Sequence, residues 1–402
     1  MKYNNDIVVH DGNRNLVECL KISALSTYIG VPVHLHATGL RGIGKTTVIR
    51  AFKNVLPYIE RIKGCNFNCS PEHPVCNVHR GMSREGIEAV GREYIPMPFL
   101  EISHSAKPGT VAGGIDLKKL IDKDNPEAAL LLGTIPRANR GIIFIDEINR
   151  LAETSAQITD ILLDVMGTKP GRIQIEETGL SDIELPVSIS VWAASNPDEE
   201  PGHIKDIRKQ LSDRFDFEIN VRRPEAIEEI KEVICGPDRL YLDELGEKLT
   251  AFSKERAKEP EVPDDIYILL ANLYKNFSME SIRPVKSILQ GAKILTMLEN
   301  RKCVTREDVV RIISYMSNVE SDYKEKAVQY IKTDVDGINS KQSGQDLLRE
   351  GFISRLAGMS KRNMKARNSK INVALDDAKP LAEIDEDNWV VAGKDIKRID
   401  TQ

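Results

Sequence analysis

The segment Gly39-Leu-Arg-Gly42-Ile-Gly44-Lys45-Thr46 constrains this chain more than any other. It fits G-x-x-x-x-G-K-[ST] between an apolar run at Val33–Ala37 and helix-prone residues at Thr46–Phe52. A glycine-rich turn between strand and helix lets backbone N–H groups wrap a phosphate chain, and the helix N-terminus adds partial positive charge. Gly39, Gly42, Gly44, Lys45, Thr46 and Thr47 are therefore the expected nucleotide contacts, with ATP and Mg2+ as the groups bound. Lys45 is suited to bridge β- and γ-phosphates, and the Thr46 hydroxyl to take a coordination position on Mg2+. Further along, Gly141-Ile-Ile-Phe-Ile-Asp146-Glu147 ends an apolar strand in two carboxylates. Asp146 suits the metal, and Glu147 suits a general base acting on an attacking water.

The surrounding pattern agrees with that placement. From Val31 to Arg222, short apolar runs alternate with longer helix-like stretches, as in a parallel sheet with crossover helices. Strands are expected at Val33–Ala37, Met97–Ile102, Ile142–Asp146, Ser188–Ala194 and Asp216–Val221. Beyond Arg222-Arg-Pro224 the apolar residues recur at steps of four and three, as at Ile266, Leu270, Leu273 and Phe277, which predicts an all-helical domain. Thr305 with Asp308 forms a variant capping box that opens its last helix. The resulting plan is a nucleotide-binding core over residues 1–222, with a Cys/His-containing insertion at 59–93, a helical domain over 223–317 and a charged extension over 318–402. In the extension Arg355–Lys370 carries six basic and no acidic side chains, and an acid-rich stretch with Asp376, Asp377, Glu383, Asp385, Glu386 and Asp387 follows. Such blocks read as a solvated, partly disordered tail, or as a basic run that docks on an acidic partner.

Charge and cysteine usage narrow the class further. Lys+Arg is 56 against Asp+Glu 61, and the net charge of −5 offers no global footprint for nucleic acid or anionic lipid. No run reaches the roughly 18 apolar residues of a membrane span, and the start MKYNNDIVVHDGN lacks a signal-peptide core. A cytoplasmic protein without membrane insertion is expected. Six cysteines are too sparse for a disulfide scaffold. Cys65-x3-Cys69-x6-Cys76-x2-His79, with His73 nearby, nevertheless offers the donor set of a structural Zn2+ site. The other reading of the same residues is free or redox-active thiols.

Three further segments carry a family resemblance. Ile143-Phe-Ile-Asp146-Glu147-Ile-Asn149-Arg150, Val191-Trp-Ala-Ala-Ser-Asn196-Pro197 and Leu211-Ser-Asp213-Arg214-Phe215-Asp216 resemble the Walker B, sensor 1 and arginine-finger segments of AAA+ ATPases. Within that class the chain resembles the ATPase (I) subunit of magnesium chelatase and the related MoxR group. Asn54-Val-Leu-Pro57, Lys63-Gly-Cys65-Asn-Phe-Asn-Cys69-Ser-Pro71 and Ala138-Asn-Arg140 carry that likeness, which covers Val33–Ser317. It implies an α/β fold: a P-loop NTPase αβα core with a parallel five-stranded sheet, followed by an all-helical lid domain.

The resemblance also implies roles. Glu147 would activate water, Asn196 would position it or sense the γ-phosphate, and Arg214 would enter the neighbouring subunit's site as the finger. Arg208 is a second candidate for that part, and a surface ion pair with Asp213 or Asp216 is the plain alternative for Arg214. Ser281-Ile-Arg283-Pro-Val-Lys286 resembles the sensor 2 segment, with Arg283 reaching the nucleotide. A finger that acts on a neighbour implies a homo-oligomeric ring, a hexamer in this family. Two insertions are implied as movable elements, one from Pro108 to Ala138 and a hairpin between Met166 and Pro186 built on Arg172–Gly179. The function implied is an ATP-hydrolysing motor subunit that remodels a partner protein or metal-insertion complex. Its partners would be chelatase subunits or a von Willebrand A domain protein. A MoxR-like chaperone ATPase is the alternative, and a nucleic-acid motor a weaker one against the acidic balance. Ser103-His-Ser-Ala-Lys107-Pro108 departs from the Thr-Glu-Asp-Arg-like segment of the chelatases.

Overall fold

Five apolar runs lie side by side as parallel strands: β1 (Leu35–Thr38), β2 (Phe99–Ile102), β3 (Gly141–Ile145), β4 (Ile189–Ala194) and β5 (Phe217–Asn220). Their order across the sheet is β5-β1-β4-β3-β2. A computed structural model describes residues 7–115, 130–175, 183–235, 259–277, 279, 281–316, 321–336, 389–392 and 395–398. All five expected strands are present, with ends that differ by a residue or two.

Every residue of β3 and β4 is buried, because the sheet is covered on both faces. Alternate side chains feed two cores. Ile142 and Phe144 of β3, and Trp192 and Ala194 of β4, join one; Ile143, Ile145, Val191 and Ala193 join the other. The first core is completed by helix α1 (Arg14–Tyr28) and α2 (Lys45–Ala51), the second by α3 (Ile148–Thr154) and α4 (Ala156–Gly167). The result is the expected αβα sandwich.

The helical region comprises α5 (Asp264–Asn276), α6 (Arg283–Leu298) and α7 (Arg306–Ile313). Its apolar faces share the first core with α1, so these helices pack behind the sheet rather than forming a separate core. Gln290 on α6 donates to Ser26 Oγ on α1 at 3.2 Å, and Arg311 on α7 pairs with Glu18 on α1. The capping box at Thr305 and Asp308 is present, with the Thr305 N–H donating to Asp308 Oδ2 at 2.8 Å.

Three antiparallel hairpins project from the core. Tyr58–Ile62 pairs with Arg92–Pro96 and frames the Cys/His insertion. Gly113–Ile115 pairs with Leu130–Leu132 inside the Pro108–Ala138 insertion. Gly171–Ile175 pairs with Ile183–Val187, which is the hairpin expected before β4. Asp116 in the second, and Glu176, Glu177 and Gly179 in the third, lie outside the described residues, as do the basic run 355–370 and the acidic block 376–387. Met1–Ile331 forms one compact unit, and Lys332–Gln402 a second, whose described parts are residues 332–336, the end of a helix Ser321–Asp336, and the hairpin Trp389–Ala392 with Asp395–Arg398. Among the described residues no helix is long and apolar enough to cross a membrane.

His34 and His36, at the start of β1, are both almost fully buried. Val191 N donates to His34 Nδ1 at 3.1 Å, and His36 Nε2 meets Ser195 Oγ at 2.8 Å. Burial pushes each imidazole down to about 3. Both are therefore neutral in the fold, whereas in the unfolded chain they take up a proton below about 6.5. Stability should be level above that value and fall as pH drops through it, by about 1.4 kcal/mol per pH unit for each histidine. Urea midpoints measured from pH 7.5 to 5.5 should show this slope, and His36→Gln should remove about half of it. Midpoints that do not move over this range would show that the pair does not control acid stability.

Candidate active site

The parallel register decides which loops meet. β4 lies between β1 and β3, with Ala37 opposite Ala194 and Ala193 opposite Ile145. The residues that follow each strand therefore emerge together at one edge of the sheet: the glycine-rich loop after Thr38, Asn196 after Ala194, and Asp146-Glu147 after Ile145. Neighbouring strands are about 4.8 Å apart, so three loops from distant parts of the sequence face a single ligand-sized space.

The glycine-rich loop is held by close approach and by backbone conformation. A Cβ at Gly39 would stand 2.5 Å from the carbonyl oxygen of Val221, which follows β5. Gly44 has φ +88°, a left-handed value that side chains disfavour, and it sits at the N-terminus of α2. Lys45 is buried, and its ammonium donates to the carbonyls of Gly39 (2.5 Å) and Leu40 (2.6 Å). Burial lowers its pKa, while Asp146, Glu199 and Asp198 pull it back up. The Thr46 hydroxyl donates to Asp146 at 3.1 and 3.3 Å from the two carboxylate oxygens. Hydroxyl and carboxylate are thus adjacent, as shared ligands of one Mg2+ must be. Thr47 is exposed in the first turn of α2.

Glu147 adopts φ +53°, a left-handed conformation uncommon for its type, directly before α3. Arg150, one turn on, lies 3.3 Å from the Glu147 carboxylate and 3.6 Å from Glu199. Asn196 brings the clearest sign of a missing partner: its side-chain oxygen is buried and accepts no hydrogen bond. Buried polar atoms are normally satisfied, so this one suits a donor delivered by a ligand or its water. The donor set around the loop therefore fits a Mg2+-nucleotide.

Sequence reading missed two contributors here. Arg50, one turn after Thr46 on α2, donates to Glu101 from two of its nitrogens and lies 3.8 Å from Asp146. The i, i+4 spacing of Thr46 and Arg50 is the signal that could have revealed it. Asn149 donates to the carbonyls of Asn196 (3.4 Å) and Gly202 (3.1 Å), pinning the loop after β4 to α3.

The remaining arginines lie elsewhere. Arg214 precedes β5, and Asp216 beside it exchanges hydrogen bonds with His34 at the start of β1. That is the edge of the sheet opposite the glycine-rich loop. Arg283 opens α6, and its guanidinium donates to the carbonyl of Gly167 at 2.6 Å; Arg214 donates to the same oxygen at 3.3 Å. Gly167 ends α4, where helix carbonyls lack partners and the dipole favours cations. Burial, then the neighbouring Arg214 charge, lowers the pKa of Arg283. Within this chain Arg283 thus contacts the end of α4 and not the glycine-rich loop. Packing of α6 against α1, and the bond from Ser287 to the buried Asp216, fix its N-terminus at the far edge. Arg208 stands at the joint between the short helices Ile204–Ile207 and Lys209–Ser212. Cys65, Cys69, Cys76 and His79 are brought together in the insertion, away from the nucleotide site.

No protein-family model matches the chain. A magnesium-chelatase 38 kDa subunit of Rhodobacter capsulatus is 30% identical over 288 residues, covering 68% of this chain and 76% of that protein. A magnesium-chelatase subunit ChlI homolog of Methanocaldococcus jannaschii is 27% identical over 311 residues, covering 74% of this chain and 80% of its own. A solved structure of the complex between subunits BchI and BchD of magnesium chelatase has a chain 26% identical to this one. The match covers 80% of this chain and 97% of that chain, with a TM-score of 0.45. With 30% identity over about three quarters of the Rhodobacter capsulatus protein, this chain belongs to the family of the magnesium-chelatase 38 kDa subunit.

Proposed function

We propose that the chain is a ring-forming ATPase that drives conformational work in partner chelatase subunits. The observation that carries this reading is the convergence of Lys45, Thr46, Asp146, Glu147 and Asn196 at the ends of three adjacent strands, with the Asn196 oxygen left unpaired. Lys45 exchanges its two loop carbonyls for the β- and γ-phosphate oxygens of ATP. Thr46 and Asp146 hold the Mg2+ that accompanies the nucleotide, which neutralises charge on the phosphates. Glu147 accepts the proton of the attacking water, with Arg150 orienting its carboxylate, and Asn196 fixes that water's position.

The position of Arg214 and Arg283 at the opposite edge supports a site completed between subunits. Both arginines are then presented to the nucleotide of the next subunit, Arg214 as the finger and Arg283 beside it. Head-to-tail contacts of this kind are compatible with a closed ring, which by family resemblance would be a hexamer. The partner is a chelatase subunit carrying a von Willebrand A domain. Two observations favour it over a nucleic-acid motor: the family of the relatives and the acidic charge balance.

Glu147→Gln should bind ATP while turnover falls by roughly 10²–10⁴-fold. Arg214→Ala should lose roughly 10³–10⁵-fold. Mixing either Arg214→Ala or Arg283→Ala with Glu147→Gln should restore part of the turnover, because mixed rings contain interfaces with both intact groups. Absence of complementation by Arg283→Ala would return that residue to its own chain's site. Full turnover by Lys45→Ala would refute the site altogether. For the partner, ATP turnover measured with a purified von Willebrand A chelatase subunit should rise, and with DNA it should not; the reverse result would favour a nucleic-acid motor.

A further inference from the structure

The insertion between Ile62 and Arg92 contains a second constellation that the ATPase reading does not use. Two tight turns each present a pair of donors. In the first, Cys65 N–H bonds to the Ile62 carbonyl and Asn68 N–H to the Cys65 carbonyl, which brings Cys65 and Cys69 to one side. In the second, His79 N–H bonds to the Cys76 carbonyl at 3.1 Å, which stacks Cys76 and His79. The four ligand atoms all lie within 4.8 Å of one another, and all four residues are buried.

The distances suit a shared ion better than a covalent bridge. Cys65 Sγ and Cys76 Sγ are 4.0 Å apart, and Cys76 Sγ is 3.1 Å from His79 Nδ1. Tetrahedral zinc with Zn–S of about 2.3 Å separates its sulfurs by about 3.8 Å, whereas a disulfide requires about 2.05 Å. Backbone N–H groups already point at the sulfurs: Cys69 N at Cys65 Sγ (3.5 Å), and Val75 N and Cys76 N at Cys69 Sγ (3.4 and 3.3 Å). Such outer hydrogen bonds orient ligands and stabilise thiolates around a metal.

We propose that Cys65, Cys69, Cys76 and His79 bind one Zn2+ as a closed structural site, with His79 ligating through Nδ1. Three thiolates and an imidazole are the donors that select zinc, and a buried set of four has no open position for chemistry. A Cys3His zinc site carries a net charge of −1. The half-buried Arg140 guanidinium, which donates to the carbonyl of Asn68 beside Cys69 at 3.3 Å, offsets it.

The site's purpose follows from what the insertion touches. Asn68 Nδ2 donates to the Arg137 carbonyl at 2.8 Å, and Asn139 Nδ2 returns a bond to the Phe67 carbonyl at 3.0 Å. Arg140 donates to the carbonyls of Glu60 (2.6 Å) and Asn68 (3.3 Å). Residues 137–140 lead straight into β3, which carries Asp146 and Glu147 at its other end. Zinc would thus lock a buttress behind the strand that positions the catalytic carboxylates.

The test uses the full chain, produced in zinc-supplemented medium and purified without chelator, with metal measured by elemental mass spectrometry. About one zinc per chain is expected for the wild type, under about 0.2 for His79→Ala, and about one again for His79→Cys, which restores four ligands. Replacing zinc with Co2+ should give the visible absorption of tetrahedral cobalt bound by thiolates. The His79→Cys and His79→Ala comparison decides the matter without a variant that removes one of the buried cysteines. Less than about 0.2 zinc in the wild type, with Cys65, Cys69 and Cys76 freely titratable by thiol reagent, would overturn the proposal. So would a Cys65–Cys76 disulfide in the native protein, or a full complement of zinc in His79→Ala.

Discussion

The structure depends first on β4 being hydrogen-bonded to β1 on one side and β3 on the other. That arrangement of parallel strands is what turns three separate loops into one site. It also requires a wholly buried strand, because β4 is covered above and below as well as flanked, and its one polar side chain, Ser190, is satisfied by Thr27 Oγ1 at 2.6 Å and by the Val33 N–H at 3.0 Å. Trp192 fills one face of it against Phe52 and Phe99, with ring centroids 6.1 and 6.0 Å away, and its indole N–H finds Ser23 Oγ at 2.8 Å. Losing such a side chain typically costs about 3–5 kcal/mol, and here the cost would fall on the strand that sets the spacing of the three loops. Core packing and site geometry are the same constraint in this region.

A second constraint runs across the sheet. The edge that ends in the phosphate loop gathers carboxylates and a lysine. The other edge gathers Asp216, His34 and two arginines around the end of α4. Asp216 is central there, since its carboxylate accepts from the His34 backbone N–H and the Ser287 hydroxyl, and Lys169 lies 3.7 Å away. It ties α6 to the base of the sheet and so decides where Arg283 points. The zinc knuckle, if loaded, would reinforce the start of β3 in the same manner, by fixing what lies upstream of a strand rather than the site at its end.

Much of this was legible in the residues. The glycine-rich loop, the carboxylate pair and Asn196 each follow a run of apolar residues, and runs of that kind define strands whichever way the rest of the chain folds. The pre-β4 hairpin was visible in the alternation at Arg172–Ile175, because period-2 burial leaves a direct trace in composition. Arg283 was not legible in this way. Its motif identifies a helix start, but its location depends on how α6 packs on α1 and on a hydroxyl–carboxylate bond across 71 positions of sequence. Arg50 and Gly167 were also hidden, one because its partners are a strand residue and a distant carboxylate, the other because its contribution is a backbone carbonyl. The cysteine cluster lay between these cases: its residue types suggested a metal, while its unusual spacing withheld the geometry that only the two turns supply.

The shared carbonyl of Gly167 has a consequence for assembly. The end of a helix offers about half a unit of negative charge, and two guanidinium groups bring two positive ones. Asp216 and Asp213 answer part of that charge, and each arginine keeps donors in reserve, since a guanidinium has five N–H groups. A surface of this kind is poised for an anion brought by another molecule. If that anion is the phosphate tail of a neighbour's nucleotide, the cohesion of the ring becomes an ion-pairing equilibrium. Subunit affinity would then weaken with salt and change with each turnover as the charge on the bound nucleotide changes.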